Sequence, residues 1–417
     1  MITTLLFDLD DTLLTNSMER FLPAYFQQAS EHFAGWPNAA QLVPAMVTAT
    51  RAAVANTDPA RTLLAVFSEC FSEALGWAES DWLPHFASFY QTRYPALQAL
   101  TQPVPAAQPL LAWAVAQGLE VAITTNPLFT RDAVEARLAW AGLGDFDFAL
   151  ITDLTNSHFA KPRPEYYAEV LAALGRRPEQ ALVVGNDWNN DILAAAAAGL
   201  PTYWITPAGS DQLPPAPIAP LAWVEALPLG HGTLAEFDAW ARAALLTGPD
   251  DSPPHSATPT GATLPYLLTG SLAALHGAVA DWPAAAWAHR PAPGEWSLTE
   301  IAGHLRDVER EVNLPRLHAV IEQDNPFLAG ADTDPWAITR NYAAQSGPQA
   351  LADFSRSRQE TIAYLRRQPA TVWQRTARHA IFGPTLLVEI VGWMLDHDRL
   401  HLAQVRATQA HVAAPAA

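Results

Sequence analysis

A proline-rich segment divides the chain into two stretches of unlike sequence pattern. Residues 248–262 carry no aliphatic side chain larger than alanine, so they cannot build a buried core and are typical of a linker. We therefore predict one domain over residues 1–247, a second over residues 263–410, and an alanine- and proline-rich tail over residues 411–417. Two domains also agree with a length of 417 residues, which is long for a single core.

In the first domain, short apolar runs alternate with helical patterns. The strand-like runs end at polar clusters and cover residues 2–7, 119–124, 148–151, 181–184 and 202–205. Helical patterns lie between several of them, over residues 109–117, 131–140, 165–174 and 191–198. This alternation is typical of an α/β fold with a parallel, doubly wound sheet. Residues 17–100 contain periodic apolar side chains and no convincing strand, so we expect a helical module inserted after the first strand.

The second domain lacks β-rich runs. Its long amphipathic patterns cover residues 264–279, 298–323, 350–367 and 385–408. Four such helices predict an all-α four-helix bundle.

Charge and cysteine content exclude several classes of function. The net charge of -18 argues against a general nucleic-acid binder and against binding to an anionic membrane surface. A small anionic substrate requires metal ions or local basic groups that overcome this charge. Cys70 is the one cysteine, which excludes an intrachain disulfide and fits a reducing compartment. No export signal is apparent at the N-terminus, so we expect a cytoplasmic protein.

Three of the predicted strands end in groups that suit phosphate chemistry. The first leads into an Asp8-Leu9-Asp10-Asp11-Thr12 sequence, the second into Thr124-Thr125-Asn126, and the fourth into a loop from Gly185 to Asp191. Ligands of parallel sheets bind at the carboxyl ends of the strands, so these groups can converge there. Such a cluster of carboxylates suits Mg²⁺, which binds few carboxylates together with water and phosphate oxygens.

Lys161 is the only lysine in the chain, whereas arginine is common. An ammonium group is a compact point charge on a flexible stem, and it can fit among several carboxylates and a phosphate where a planar guanidinium would not. Retention of one lysine in an arginine-rich chain therefore suggests a specific role at this position.

These motifs, in this order, closely resemble those of the haloacid dehalogenase-like superfamily of hydrolases over residues 1–210. The resemblance implies a Rossmann-like parallel sheet with a helical cap after the first strand. It also implies an Mg²⁺-dependent phosphatase that acts on a small phosphorylated metabolite. The dehalogenating members lack an acid two residues after the nucleophile, so Asp10 favours phosphate ester hydrolysis.

The resemblance also implies a role for each matching residue. Asp8 is similar to the nucleophile that accepts the phosphoryl group, and Asp10 to the acid that protonates the leaving oxygen and then activates water. Thr125 and Asn126 are similar to the groups that hold the phosphate. Lys161 matches the lysine that stabilises the charge on Asp8 and on the transferred group.

Four carboxylates match the Mg²⁺ site of the superfamily. They are Asp8, Asp10, Asp187 and Asp191. The sequence departs from the family pattern in one place, because Asn186 stands between Gly185 and the first acid of the loop. Which of Asp187 and Asp191 contacts the metal therefore stays open.

Histidines are the informative residues of the second domain. His397 and His401 lie four apart on one helical face, a spacing at which both can bind one metal ion. His304 follows a Trp296-Ser297 pair that precedes a predicted helix, and Ser297 or Thr299 can cap that helix.

This combination resembles the DinB-like superfamily over residues 263–408. The resemblance implies a four-helix bundle in which His304, His397 and His401 bind a divalent metal, Zn²⁺ or Ni²⁺. It does not fix a reaction. The main activity can reside in this domain, as thiol-dependent transfer or metal-dependent hydrolysis. Alternatively, the bundle is a non-catalytic module that binds a partner or forms a homodimer.

Overall fold

The computed structural model of the protein describes residues 1–209, 214–218, 221, 223–245 and 260–413. The chain divides into two compact units, Met1–Ala257 and Thr258–Ala417. Most of the predicted linker, residues 248–259, and the end of the predicted tail, residues 414–417, lie outside the described residues. The domain boundaries therefore stay predictions.

A parallel sheet of six strands forms the centre of the first unit. The strands of this unit are β1 (Thr4–Phe7), β2 (Leu14–Thr15), β3 (Gln102–Pro103), β4 (Glu120–Ile123), β5 (Leu150–Ile151), β6 (Ala181–Gly185), β7 (Thr202–Ile205) and β8 (Gly230–Gly232). Six of them form the sheet in the order β5-β4-β1-β6-β7-β8, and every neighbouring pair is parallel. Strands β1 and β6 are buried along their whole length, which is typical of strands covered on both faces. The predicted α/β fold is confirmed.

Strand β1 lies between β4 and β6 and brings the predicted site residues together. Phe7 at its end pairs in register with Ile123 of β4 and with Val184 of β6. The three strands therefore end at the same level of the sheet. The residues that follow, among them Asp8 and Thr124, lie side by side at its carboxyl edge.

A helical cap is inserted between β2 and β3. Its helices are α1 (Met18–His32), α2 (Leu42–Val54), α3 (Leu63–Leu75) and α4 (Glu79–Thr92), followed by a 3-10 helix over Tyr94–Leu100. The rings of Phe33, Phe71 and Phe89 are fully buried and each contacts Phe86. Strands β2 and β3 pair antiparallel, so the chain enters and leaves the cap through one short ribbon. The predicted helical insert is confirmed.

The remaining helices of the first unit flank the sheet strands. They are α5 (Ala107–Ala116), α6 (Arg131–Trp140), α7 (Pro164–Leu174), α8 (Ala194–Ala197) and α9 (Leu234–Ala244), and a π-helix over Trp188–Leu193 leads into α8. Helix α6 has the predicted bounds. Helix α7 begins at Pro164, whose fixed backbone angle suits the first position of a helix.

Long helical segments build the second unit. They are α10 (Leu264–Val279), α11 (Leu298–Val308), α12 (Leu314–Glu322), α13 (Trp336–Thr339), α14 (Gly347–Arg366) and α15 (Leu387–Ala413). A π-helix over Glu309–Asn313 joins α11 to α12, so the predicted helix over residues 298–323 is a helical segment with a π-turn inside it. This segment packs against α14 and α15, and α10 packs against the same two helices, as the predicted bundle. Helix α15 continues to Ala413, into the predicted tail.

A small sheet accompanies the bundle. Its strands are β9 (Phe327–Leu328), β10 (Thr376–His379) and β11 (Gly383–Leu386), in the order β11-β10-β9. The sequence pattern does not predict these strands, because each has only two to four residues, and β9 pairs with a strand far along the chain. Among the described residues of the whole protein, no helix is both long and apolar enough to cross a membrane.

Candidate functional site

A buried ammonium group joins two carboxylates at the carboxyl end of the central sheet. Lys161 Nζ donates hydrogen bonds to Asp8 Oδ1 at 2.8 Å and to Asp191 Oδ1 at 2.6 Å. Lys161 is 2% exposed, Asp8 8% and Asp191 1%. The structure therefore brings these three predicted site residues into direct contact, although Lys161 lies 153 residues from Asp8 in sequence.

Different elements position the three groups. Asp8 directly follows β1, and its amide donates to the Val184 carbonyl of β6 at 2.9 Å. Lys161 lies just before α7, whose Tyr167 hydroxyl donates to Asp191 Oδ1 at 3.3 Å. Asp191 lies in the π-helix after β6, and its Oδ2 accepts the Asp187 amide at 2.9 Å. The Asp191 carboxylate is thus fixed by a backbone and a side-chain donor besides Lys161, and the backbone of Asp8 is fixed by β6.

Electrostatics at this cluster favour a further cation. Burial raises the pKa of Asp8 to about 7, an effect that Lys161 opposes and Asp191 reinforces. Burial alone would lower the pKa of Lys161, but the two carboxylates raise it well above its usual value, so the ammonium stays charged. When both carboxylates are ionised, the single ammonium leaves an excess of negative charge in this buried site. A divalent cation beside Asp8 and Asp191 would offset this charge, so the donor set fits Mg²⁺.

Thr125 and Asn126 follow β4 and lie beside the cluster. Both line a cavity that Asp8, Lys161 and Asp191 also line. The Thr125 carbonyl accepts hydrogen bonds from the Thr152 hydroxyl at 3.0 Å and from the Tyr166 hydroxyl at 2.9 Å. These two bonds fix the backbone of the Thr-Asn turn. The side-chain oxygen of Asn126 is buried and has no hydrogen-bond partner among the described residues. An unpaired buried polar atom at a cavity wall indicates that a ligand or water completes the site.

Asp10 makes different contacts from Asp8. Its Oδ2 forms an ion pair with Arg137 Nη1, and its Oδ1 accepts the Asn16 side-chain amide at 2.7 Å. The guanidinium of Arg137 is buried and stacks on Phe129, with 4.6 Å from its central carbon to the ring centroid. The structure thus places Asp10 at the same cavity, held by an arginine rather than by the lysine.

Sequence reasoning missed Arg137, although a signal was present. Helix α6 buries Ala133, Val134 and Leu138, and Arg137 lies on the same face. A charged side chain within an apolar helical stripe requires a buried partner, which here is Asp10.

The two acids of the loop after β6 differ in position. The Asp187 carboxylate is exposed and caps the π-helix, because its Oδ1 accepts the amides of Asn189 at 2.9 Å and Asn190 at 2.8 Å. Asp191, by contrast, points into the buried cluster. The side-chain oxygen of Asn186 lies 3.3 Å from the Thr12 hydroxyl, which is itself 3.4 Å from Asp8 Oδ2. By these contacts Asp191 and Asn186 lie nearest to Asp8. Asp187 also lines the cavity, and one of its carboxylate oxygens caps the π-helix.

Three histidines converge in the second unit. His397 Nε2 lies 3.1 Å from His304 Nε2 and 3.1 Å from His401 Nε2. His304 comes from α11, and the other two lie one turn apart on α15. One nitrogen of each ring falls within 4.8 Å of the others, a spacing that can hold one metal ion. Trp296 covers this group, with its ring stacked 6.0 Å from His401.

The histidines are poised as neutral ligands. Burial lowers the pKa of His304 to about 4 and that of His401 to about 4. Burial, and then the two neighbouring imidazoles, lower the pKa of His397 to about 2. Neutral imidazoles offer lone pairs, and Gln404 Oε1 lies 2.7 Å from His401 Nδ1, where it can fix the tautomer that exposes Nε2. The three residues therefore fit a divalent metal.

An ion network that the sequence does not reveal lies next to these histidines. Arg358 of α14 donates to Glu309 Oε2 at 2.9 Å and to Asp398 Oδ1 at 3.1 Å. All three side chains are buried, and Asn313 donates to the same Glu309 oxygen at 3.0 Å. The network links α14 to α15 beside His397, and so fixes the helix that carries two of the histidines.

Comparisons with known proteins assign a family to a segment of each unit. Residues 2–199 match the haloacid dehalogenase-like hydrolase family, and residues 267–405 match the DinB superfamily. Phosphoserine phosphatase of Thermus thermophilus is 32% identical over 141 residues, which are 34% of this chain and 53% of that protein. Pyrophosphatase PpaX of Bacillus cereus is 25% identical over 201 residues, which are 48% of this chain and 82% of PpaX.

This chain thus spans about half the length of the first of these relatives. Among solved structures, YfiT of Bacillus subtilis is 17% identical with a TM-score of 0.34, covering 40% of this chain and 93% of YfiT. Residues 2–199 accordingly form a haloacid dehalogenase-like hydrolase domain, and residues 267–405 form a DinB superfamily domain.

Proposed function

We propose that the first domain is an Mg²⁺-dependent phosphatase that hydrolyses a small phosphorylated metabolite through an aspartyl phosphate on Asp8. The observation that carries this proposal is the buried contact of the Lys161 ammonium with both Asp8 and Asp191. A nucleophilic carboxylate must remain ionised in a dry pocket and must approach a phosphate of like charge. Lys161 supports both requirements. The phosphatase relatives are consistent with this chemistry.

The reaction has two steps in this proposal. The Asp8 carboxylate attacks phosphorus and the bond from phosphorus to the alcohol oxygen breaks, while Asp10 gives its proton to that oxygen. Water then attacks the phosphorus of the aspartyl phosphate and gives a proton to Asp10. The bond from phosphorus to Asp8 breaks and inorganic phosphate leaves. Thr125 and Asn126 orient the phosphate throughout, and Lys161 stabilises the charge on its oxygens.

When bound, Mg²⁺ would neutralise part of the phosphate charge. Asp8, Asp187 and Asp191 line the cavity and are the carboxylates that would hold Mg²⁺, together with the Asn186 oxygen near Thr12. The Asp10 carboxylate is engaged by Arg137 and Asn16, so a direct role for it as a metal ligand requires a change of partner. Asp187 uses its Oδ1 to cap the π-helix and stays among the proposed ligands.

The test is turnover of p-nitrophenyl phosphate by the full chain with and without Mg²⁺. Asp8→Asn removes the nucleophile and should abolish turnover, whereas Asp145→Asn, at an exposed position far along the chain, should retain it. Full turnover by Asp8→Asn would eliminate the aspartyl-phosphate mechanism.

For the second domain, we propose that His304, His397 and His401 bind one divalent metal, Zn²⁺ or Ni²⁺. The three converging Nε2 atoms support this assignment. A metal with open coordination positions would allow catalysis, as thiol-dependent transfer or metal-dependent hydrolysis. A metal without open positions would only stabilise a binding or dimerising module.

Metal analysis of the full chain tests the site. We expect about one zinc or nickel ion per chain that His397→Ala loses but that His318→Ala, a partly exposed histidine of α12, retains.

A further inference from the structure

The cavity beside Asp8 extends far beyond the space that a phosphoryl group needs. Its volume is about 630 Å³, and it reaches from Asp8 and Lys161 to the helices of the cap. This volume is in the range of sites that enclose a whole small molecule. The cap side of the cavity therefore forms the pocket for the part of the substrate that leaves as an alcohol.

Apolar side chains form most of the cap side of this cavity. They come from all four cap helices and include Leu22, Phe26, Val47, Leu64, Phe67 and Leu83. Several of them, including Leu22, Val47 and Leu83, are only partly buried and remain available to contact a ligand. Burying an apolar group against such a wall is favourable by about 25 cal/mol per Å².

Polar groups on the cap side are few and mostly engaged. The hydroxyls of Tyr25 and Tyr90 lie 3.1 Å apart and bond to each other. Burial raises the pKa values of both phenols, so they stay neutral. Within residues 17–100, all of which the structure describes, the cap gives this lining no carboxylate, and its one cation there is the exposed Arg51. On the cap side of the cavity, a leaving group with an ammonium or several hydroxyls would lose its hydrogen bonds to water and find few replacements.

We propose that the substrate of this site is a phosphomonoester whose leaving alcohol is apolar, with an alkyl or aryl body that fills the cap side of the cavity. This proposal rests on the phosphatase function proposed above. It sets the chain apart from its relatives named for phosphoserine and for pyrophosphate, both of which have polar leaving groups.

A homologous series of alkyl phosphates tests the proposal on the full chain. From ethyl to hexyl phosphate the reactivity of the ester hardly changes, whereas the buried apolar surface grows with each methylene. We expect kcat/KM with Mg²⁺ to rise roughly fourfold per added methylene until the cavity is filled. O-phosphoserine and glycerol 3-phosphate, which match in reactivity but carry polar groups, should fall well below hexyl phosphate.

Two variants of α2 provide a matched pair. Val47 lines the cavity, and Val54 lies seven residues later on the same helix, equally half-buried but outside the lining. Val47→Asn should lower the ratio of kcat/KM for hexyl over ethyl phosphate by roughly threefold or more, whereas Val54→Asn should leave that ratio unchanged. An equal effect of both variants would overturn the assignment of this wall.

The outcomes separate this inference from the phosphatase function. Turnover that is flat or falling along the alkyl series, or fastest with O-phosphoserine or pyrophosphate, would overturn the apolar pocket and leave the phosphatase intact. A lack of turnover with every ester, p-nitrophenyl phosphate included, would overturn both.

Discussion

At the scale of single residues, the first site depends on the shape of one cation. Lys161 reaches between Asp8 and Asp191 in a space that Tyr166 and Tyr167 also border, with 5.8 Å and 5.9 Å from Nζ to the ring centroids. A guanidinium carries the same charge but is wider and planar. In a chain whose other basic side chains are all arginine, this confinement gives a physical reason for the one lysine.

Lys161→Arg should therefore lower kcat by on the order of 100-fold while the protein stays folded. Steady-state turnover of p-nitrophenyl phosphate, with circular dichroism as the check on folding, measures this effect. The neighbouring Arg163→Lys exchanges the same two groups at a half-buried position outside the cavity and should change turnover little. Near-normal turnover by Lys161→Arg would show that charge alone suffices.

Asp307 of α11 carries a second prediction at this scale. Burial alone would raise the pKa of Asp307, but hydrogen bonds from Arg306 at 2.7 Å, Arg340 at 2.7 Å and Tyr342 at 2.8 Å lower it below its usual value. A lowered folded-state pKa gives stability above the unfolded pKa near 3.9, and this stability is lost as the pH falls through the folded value.

Asp307→Asn should thus lower the thermal stability of the full chain at pH 7, and the difference from the wild type should narrow as the pH approaches 4 and below. Calorimetric unfolding across this range measures both effects. Asp324→Asn, at an exposed position of the same unit, is the control and should behave as the wild type. A stability gap that stays constant with pH would show that the charge of Asp307 contributes nothing.

At the scale of secondary structure elements, strand β6 and the π-helix after it together position the Asp191 carboxylate. Asp191 turns back from the π-helix so that its carboxylate lies against Gly185, the last residue of β6. A side chain at position 185 would overlap that carboxylate. The close approach of Asp191 to Lys161 therefore requires a glycine at the end of this strand.

Gly185→Ala should displace Asp191 and reduce turnover by at least roughly tenfold, with a smaller effect on stability. Kinetics with p-nitrophenyl phosphate and a Tm measurement separate the two effects. Gly35→Ala is the matched control, because an added methyl group there meets nothing within 4 Å. Equal loss of turnover in both variants would argue against this packing.

Elements with strong local signals could be predicted from the sequence. Strand β7, α6 and α10 have the predicted bounds, because each coincides with an apolar run or a clear helical period. Strand β8 could not be predicted, since Gly230-His231-Gly232 has no strand-forming side chain and depends on pairing with β7. The two π-helices could not be predicted either, because the apolar pattern of the sequence does not distinguish a π-turn from the α-helix around it.

In the candidate site, too, what local sequence motifs indicate could be predicted, and what tertiary packing decides could not. The strand-end motifs, together with the family resemblance for Lys161, predicted which residues gather at the sheet edge, and Asp8, Lys161 and Asp191 do meet there. It could not predict that Arg137 holds Asp10 or that Asp187 caps a helix, because both depend on side-chain directions set by tertiary packing.

At the scale of the whole molecule, the chain carries two candidate sites of different chemistry. The first unit offers oxygen ligands around a buried ammonium, and the second offers three neutral imidazoles. Oxygen ligands suit Mg²⁺, whereas imidazoles suit Zn²⁺ or Ni²⁺. Each metal should therefore select its own site.

Variants of the full chain test this selection. Asp8→Asn should abolish phosphatase turnover but retain the metal bound by the second unit. His397→Ala should lose that metal, and its Mg²⁺-dependent turnover should stay within about twofold of the wild type. Metal analysis and kinetics on the same samples measure both, and loss of phosphatase turnover in His397→Ala would contradict independent sites.

The most direct measurement of the central claim locates the phosphoryl group during turnover. The full chain is mixed with p-nitrophenyl phosphate and Mg²⁺, quenched in acid and digested, and its peptides are analysed by mass spectrometry. We predict a phosphoryl group on the peptide that contains Asp8, on the Asp8 side chain, and no such adduct in Asp8→Asn. A phosphoryl group on any other residue, or undiminished turnover by Asp8→Asn, would contradict the account.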